Sequence, residues 1–152
     1  ADKAYLPYRP YLQYDIHHTM KGLRLYKVEK LCSEVAIGQL FDRSAAGTHS
    51  SLAYPLRVAW KENPGRRGPD CAQFLISVPK KRIRHAVDRV TVRRRVREAY
   101  RLNRDLLPAG VKVDIAFIYV ASEVLPSSRI VPAMRKLLAR IRPDGEGEEA
   151  AC

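Results

Sequence analysis

The chain has 152 residues, 46% of them apolar, which is material for one packed domain and too little for two. Lys and Arg number 28 against 16 Asp and Glu, a net charge of +12 that favours a polyanionic partner, nucleic acid first, and says nothing of fold. No apolar run approaches the roughly 18–20 residues of a membrane span, and no signal-peptide core is read at the N-terminus.

Along the chain, Tyr5, Tyr8, Tyr11 and Tyr14 recur every three residues with Pro7 and Pro10 between them. Period three matches polyproline II and would align the rings on one side. That face either stacks on bases or belongs to a flexible N-terminal extension over residues 1–20, with Met20 an alternative start. From Lys27 the pattern becomes globular. Ser33 is placed to cap a short helix carrying Val35, Ile37, Leu40 and Phe41 and ending near Asp42, although Gly38 weakens it. Residues 44–52 read as a loop. Tyr54–Trp60 and Cys71–Val78 flank the turn-rich segment Asn63–Asp70 and predict a hairpin with a long, basic tip. Phe74, Ile76 and Val78 alternate with Gln73, Leu75 and Ser77, giving one core face and one open face.

A helix follows, capped by Asp88, with Val92, Val96, Ala99 and Tyr100 on one side and Pro108 and Gly110 stopping it. Residues 112–120 are near-continuously apolar and predict a buried strand. Ser127 and Ser128 precede a last helix with Ile130, Met134, Leu137, Leu138 and Ile141 in helical order, where Pro132 is tolerable only in the first turn. Residues 143–152 read as a disordered acidic tail. The order is α-β-β-α-β-α, an α+β sandwich over residues 21–142 with room for one more strand in the loops.

The charge is concentrated. Between Lys80 and Arg104 stand eleven cations against Asp88 and Glu98, a net of +9 in 25 residues. Arg93, Arg97, Arg101 and Arg104 recur at helical spacing, with Arg94 beside them, away from Val92, Val96 and Ala99. Like charges four apart destabilise an isolated helix, so such a stripe is best explained by an anion that neutralises it. Guanidinium forks fit phosphate oxygens bidentately. The competing reading is a solvated basic face, which would ordinarily mix in Glu and prefer Lys. RNA is favoured over DNA. No helix-turn-helix pair or zinc-finger spacing is present, and Asn103 alone of the base-reading amides sits near this helix.

Protein-borne chemistry is not visible. The acids of the globular part are scattered, with no DxD or ExK cluster to hold a metal, and His85 in the basic turn reads as a phosphate contact or helix-start residue. The three cysteines, Cys32, Cys71 and Cys152, have no CxxC spacing and suit reduced thiols in a cytoplasmic chain. No catalytic residue and no metal ligand is assigned.

The run Phe74-Leu-Ile-Ser-Val-Pro-Lys-Lys81, followed by Ala86-Val-Asp-Arg-Val-Thr-Val-Arg-Arg-Arg-Val-Arg-Glu-Ala-Tyr-Arg101, resembles the bacterial ribonuclease P protein subunit. In that family a Ser-Val-Ser-Lys-Lys-like strand end leads to an Arg-Asn-Arg helix. Here the triplet is Arg89-Val90-Thr91 and Pro79 replaces the serine, so two RNA contacts are lost or shifted onto Arg84, His85 and Arg95. The resemblance covers about residues 24–142. It implies a fold like ribosomal protein S5 domain 2, with a left-handed β-α-β crossover against the usual rule. It also implies that a partner RNA does the chemistry, with Mg²⁺ held mainly by RNA phosphates. One protein per ribonuclease P RNA would bind that RNA and take the 5′ leader of precursor tRNA in a cleft. Carried over by position, Lys80, Lys81, Arg84, Arg89, Arg93, Arg94, Arg97 and Arg101 would face RNA, and Ile37, Phe41, Arg57 and Ser77 would line the leader cleft. Phe41 fits simple core equally well. Two alternatives stay open: a ribosomal or RNA-chaperone protein of the same fold, and a polybasic protein of membrane surfaces.

Overall fold

The computed structural model describes residues 25–42, 47–68, 70–108 and 110–142. The tyrosine arm, Met20, the acidic tail and Cys152 lie outside the described residues. A 3₁₀ turn (Lys27–Glu29) leads to helix α1 (Glu34–Phe41) and strands β1 (Thr48–Ala53), β2 (Leu56–Glu62) and β3 (Gln73–Ser77). Helix α2 (Ala86–Asn103), a second 3₁₀ turn (Arg104–Leu106), strand β4 (Val113–Tyr119) and helix α3 (Ser127–Arg140) complete the order. The fold is α+β. Its four strands form one sheet in the order β1-β2-β4-β3, antiparallel except for the β3–β4 pair, which is parallel and joined through α2.

The predicted β2–β3 hairpin is not formed, because β4 lies between the two strands and pairs with both. Five of its seven residues, Val113 through Phe117, are buried in an unbroken run. A segment apolar on both faces finds cover only at the centre of a sheet, so it displaces the half-polar β3 to the edge. Most of the 44–52 segment read as loop is instead strand β1, paired with β2 from Thr48↔Lys61 to Ala53↔Leu56. The stretch Thr-His-Ser-Ser has no apolar alternation because it is an edge strand, held by its ladder and clamped by Arg140. The Arg140 Nη1 donates to Ser51 Oγ at 2.8 Å and to the Leu52 carbonyl at 3.1 Å.

Helix ends also differ from expectation. Ser33 caps α1, its Oγ accepting from the Ala36 N–H at 3.4 Å. Helix α2 begins two residues before Asp88, with His85 as N-cap, and Asp88 lies in the first turn, where the helix dipole favours a carboxylate. In α3, Ser127 and Ser128 are already helical and Pro132 stands beyond the first turn. Its ring faces solvent, and the buried side of the helix, with Ile130, Met134, Leu137 and Leu138, offsets the lost hydrogen bond.

The main core fills the space between one face of the sheet and α2 with α3. Val92, Val96, Ala99 and Tyr100 meet Val58, Phe74, Ile115 and Phe117, and α3 adds its apolar stripe. Tyr100 is wedged between Phe74, with ring centroids 4.1 Å apart, and Phe117, met edge-on at 5.7 Å. On the opposite face a smaller cluster of Leu31, Ala36 and Leu40 sits on Ala116, with Ile37 and Leu75 at its margin.

Two long-range polar anchors tie the loops down. Asp114, buried, accepts from Arg66 Nη1 at 2.6 Å and Asn63 Nδ2 at 2.9 Å. Arg66 also donates to the Cys71 carbonyl, and Lys112 Nζ holds the Arg66 carbonyl at 2.6 Å. The segment after β2, expected as a basic tip, therefore turns one of its two arginines inward. At the other end Arg104 Nη1 donates to both Glu29 carboxylate oxygens at 2.8 Å, with both side chains out of water. Burial pushes the Glu29 carboxyl up, against the opposing pull of the Tyr26 N–H and Arg104. Among the described residues no helix is long and apolar enough to cross a membrane.

Burial beneath the Arg66 loop pushes the Cys71 thiol up to about 11, whereas Cys32 is exposed. The thiolate is the reacting species, so at pH 8 iodoacetamide is expected to modify Cys32 and spare Cys71 until denaturant is added. Mass spectrometry of the tryptic peptides checks this; equal labelling of both in the native chain would contradict the packing of this loop.

Candidate nucleic-acid interface

Helix α2 has two chemistries on one cylinder. Val92, Val96, Ala99 and Tyr100 bury one side, and the helical repeat then turns Val87, Val90, Arg94 and Arg97 outward, with Arg93, Arg95 and Arg101 half-buried. Arg95 is committed to structure, its Nη1 donating to the Leu125 carbonyl at 2.7 Å and joining α2 to the approach of α3. Arg101 is engaged by Glu98 three residues back, with Nε to Oε2 at 3.0 Å and a second, shorter bond between Nη2 and Oε1. That guanidinium holds the Glu98 carboxyl below its usual range. Arg93, Arg94 and Arg97 make no salt bridge among the described residues.

The expected stripe is shorter than its spacing suggested. Arg104 leaves the helix in the 3₁₀ turn and enters the interior to meet Glu29, 5% exposed, so it cannot reach a surface ligand. Spacing alone could not show this, because its partner lies 75 positions away. Ahead of α2, the turn from Lys80 to Arg84 is exposed except for Ile83, which is buried in the main core. Arg89 is drawn back onto this turn: its Nη1 donates to the Ile83 and Arg84 carbonyls at 3.0 and 2.8 Å.

The opposite face of the sheet carries a cleft of about 310 Å³ between the end of α1 and strands β1 and β2. It is lined by Leu40, Phe41, Asp42, Thr48, Ser50, Arg57, Ala59 and Ile118. Phe41 is 47% exposed, which settles its place as a cleft wall and not core. Arg57 and Phe41 are thus brought together. Ser77 lies one strand beyond, in the cross-strand row Arg57–Ile118–Ser77 that shares one face. Ile37 does not line the cleft; it packs with Leu75 at the edge of the small cluster. Thr48, Ser50 and Ile118 were missed in the sequence. The first two belong to the strand that reads as loop, and Ile118 looks like any other apolar residue of β4. Among the described residues no three His, Cys, Asp or Glu side chains gather as metal ligands.

The architecture is that of a basic α+β domain, with a cation-bearing crossover helix on one side of its sheet and a half-open cleft on the other. The family model for ribonuclease P matches residues 29–142. The ribonuclease P protein component of Porphyromonas gingivalis is 41% identical over 123 residues, covering 77% of this chain and 85% of that protein. That of Chlorobium phaeobacteroides is 33% identical, covering 68% and 79%. In three dimensions the chain is similar to the ribonuclease P protein of Thermotoga maritima, with a TM-score of 0.60 at 25% identity, over 76% of this chain and 99% of that one. It also shares its fold with the Staphylococcus aureus ribonuclease P protein, at TM-score 0.58 and 19% identity, over 72% and 92%. The chain belongs to the ribonuclease P protein family, the protein components of an endoribonuclease.

The two arginines at the ends of the expected stripe can be told apart experimentally. Arg104→Ala leaves Glu29 buried and unpaired, and is expected to cost about 3–5 kcal/mol of stability without changing the salt dependence of RNA binding. Arg97→Ala is expected to leave stability within about 0.5 kcal/mol and to lower the slope of log affinity against log salt by about one unit. Urea denaturation and binding titrations at several salt concentrations measure both. The opposite pattern would put Arg104 in the interface.

Proposed function

We propose that this chain binds the RNA of ribonuclease P through the outward face of α2 and the Lys80–Arg84 turn, and receives the 5′ leader of precursor tRNA in the cleft on the other face of the sheet. The observation that carries the reading is the placement of Arg94 and Arg97 on the solvent side, and of Arg93 on the flank, of a helix whose other side is locked into the core. Three guanidinium groups within five residues of one helix repel one another, and a phosphate backbone removes that repulsion while accepting their paired N–H groups. Lys80, Lys81 and Arg84 extend the same field ahead of the helix, and Arg101 contributes a cation already shared with Glu98. If six to ten such groups meet phosphates, affinity falls by about 10³–10⁵ between 50 and 200 mM salt.

The cleft offers a different contact. Phe41 presents an aromatic ring, Arg57 a cation, and Ser50 a hydroxyl. Stacking on the ring accepts any base, and the arginine meets the backbone, which suits an unpaired leader of variable sequence. In this division of labour the RNA and its Mg²⁺ ions carry out phosphodiester cleavage, while one protein per RNA binds and orients the substrate. Relief of charge repulsion by the bound protein lets cleavage proceed at lower Mg²⁺.

The test is reconstitution. With the cognate RNA, adding the protein is expected to lower KM for precursor tRNA and the Mg²⁺ requirement, and RNA recovered with the chain from cells is expected to be ribonuclease P RNA. Cleavage by the protein after exhaustive removal of RNA, or recovery of ribosomal RNA in its place, would sink the reading. Within the reconstituted enzyme, Phe41→Ala and Arg57→Ala are each expected to raise KM for leader-bearing substrate about tenfold, or about 1.4 kcal/mol. Binding of the leaderless product and of the RNA subunit is expected to stay within about twofold. An equal loss for substrate and product would remove the cleft from leader binding.

A further inference from the structure

The five residues after Pro79 place four cations, Lys80, Lys81, Arg82 and Arg84, at the surface. A short segment so charged tends to open, since every pair within it repels. Three anchors oppose this. The Pro79 ring fixes its own φ, and its carbonyl accepts from the Arg82 and Ile83 N–H groups at 3.0 and 3.1 Å. Ile83 buries its side chain in the main core. Arg89 supplies the third, with two hydrogen bonds from Nη1 to the Ile83 and Arg84 carbonyls.

The position of Arg89 is informative in itself. It stands at the fourth residue of α2, and a cation near a helix N-terminus is opposed by the helix dipole. The two carbonyls, outside the helix and before its cap, offset that cost by giving the guanidinium fixed acceptors. Within the first two turns of α2 the residues beside Arg89 offer an anion little to bind. The Thr91 hydroxyl donates to the Val87 carbonyl at 3.1 Å, and Val87 and Val90 are 77% and 49% exposed. The start of α2 therefore meets RNA chiefly through the turn that Arg89 holds.

We infer that Arg89 acts in RNA binding as a positioning residue: its guanidinium latches the Lys80–Arg84 turn to α2 and leaves phosphate contact to Lys80, Lys81 and Arg84. The inference rests on the reading of the α2 face as the RNA interface.

A double-mutant cycle separates a latch from a direct contact. In the natural chain Arg89→Ala is expected to weaken binding to ribonuclease P RNA about tenfold and to lower the salt slope by about two units, because several turn cations are displaced together. In a chain already carrying Lys80→Ala, Lys81→Ala and Arg84→Ala, the same change is expected to add less than about twofold. An equal loss in both backgrounds, with a slope change of about one, is the behaviour of a phosphate contact and overturns the latch. A second measurement needs no RNA. Trypsin is expected to cut after Lys80, Lys81 and Arg82 about tenfold faster in Arg89→Ala than in the natural chain, since these bonds are cleaved from an opened turn. Arg97→Ala serves as the control and is expected to digest like the natural chain. Unchanged digestion of Arg89→Ala overturns the latch. If instead neither the triple variant nor Arg97→Ala loses RNA affinity, the α2 interface fails, and the digestion result alone decides the latch.

Discussion

The rotational setting of α2 is fixed by an aromatic seam, and the rest of the molecule depends on it. Tyr100 is buried between Phe74 of β3 and Phe117 of β4, the two strands that α2 connects. Rings of this size bury roughly 150–250 Å² each, so the seam outweighs any surface interaction of the helix. Val92, Val96 and Ala99 extend it toward the N-terminus, and the buried Glu29–Arg104 pair holds the other end. A shift of one residue along the helix would turn it by about 100° and carry arginines into the core. Apolar packing, not electrostatics, thus aims Arg94 and Arg97 at the solvent.

The sheet then separates two surfaces of different chemistry. One face is closed by α2 and α3, and the outer side of α2 carries Arg94 and Arg97, while the other face is only partly covered by the eight residues of α1. Because α1 is short, the sheet beyond Leu40 stays open at β1 and β2, and Phe41 and Arg57 both line that gap. A structured RNA on one side and a single strand on the other would not compete for the same groups. The sheet between them is tied together by the ladder from β1 to β3, which gives both surfaces one rigid frame.

Much of this was legible in the residues themselves. The 112–120 run announced a buried strand, and the spacing of Val92, Val96, Ala99 and Tyr100 announced the buried side of α2. Phe41 and Arg57, which the family resemblance grouped, line one cleft. What escaped were partnerships distant in sequence. Nothing near Arg104 announces Glu29, and nothing near Arg66 announces Asp114, so both arginines read as surface charge. Strand β1 escaped because an edge needs backbone pairing more than apolar side chains. The hairpin expectation failed for a related reason: adjacency in sequence favoured β2 with β3, while burial favoured β4 between them.

The assignment of two nucleic acids to two faces is tested most directly by mapping contacts in the assembled enzyme. A hydroxyl-radical probe is tethered to a single cysteine introduced by Arg94→Cys on α2 or by Ser50→Cys in the cleft, with the natural cysteines replaced. The probe on α2 is expected to cut ribonuclease P RNA and spare the leader, and the probe in the cleft to cut the leader of precursor tRNA. Cuts in the leader from α2, or none in either RNA from that helix, would contradict the claim that its arginines hold the RNA subunit.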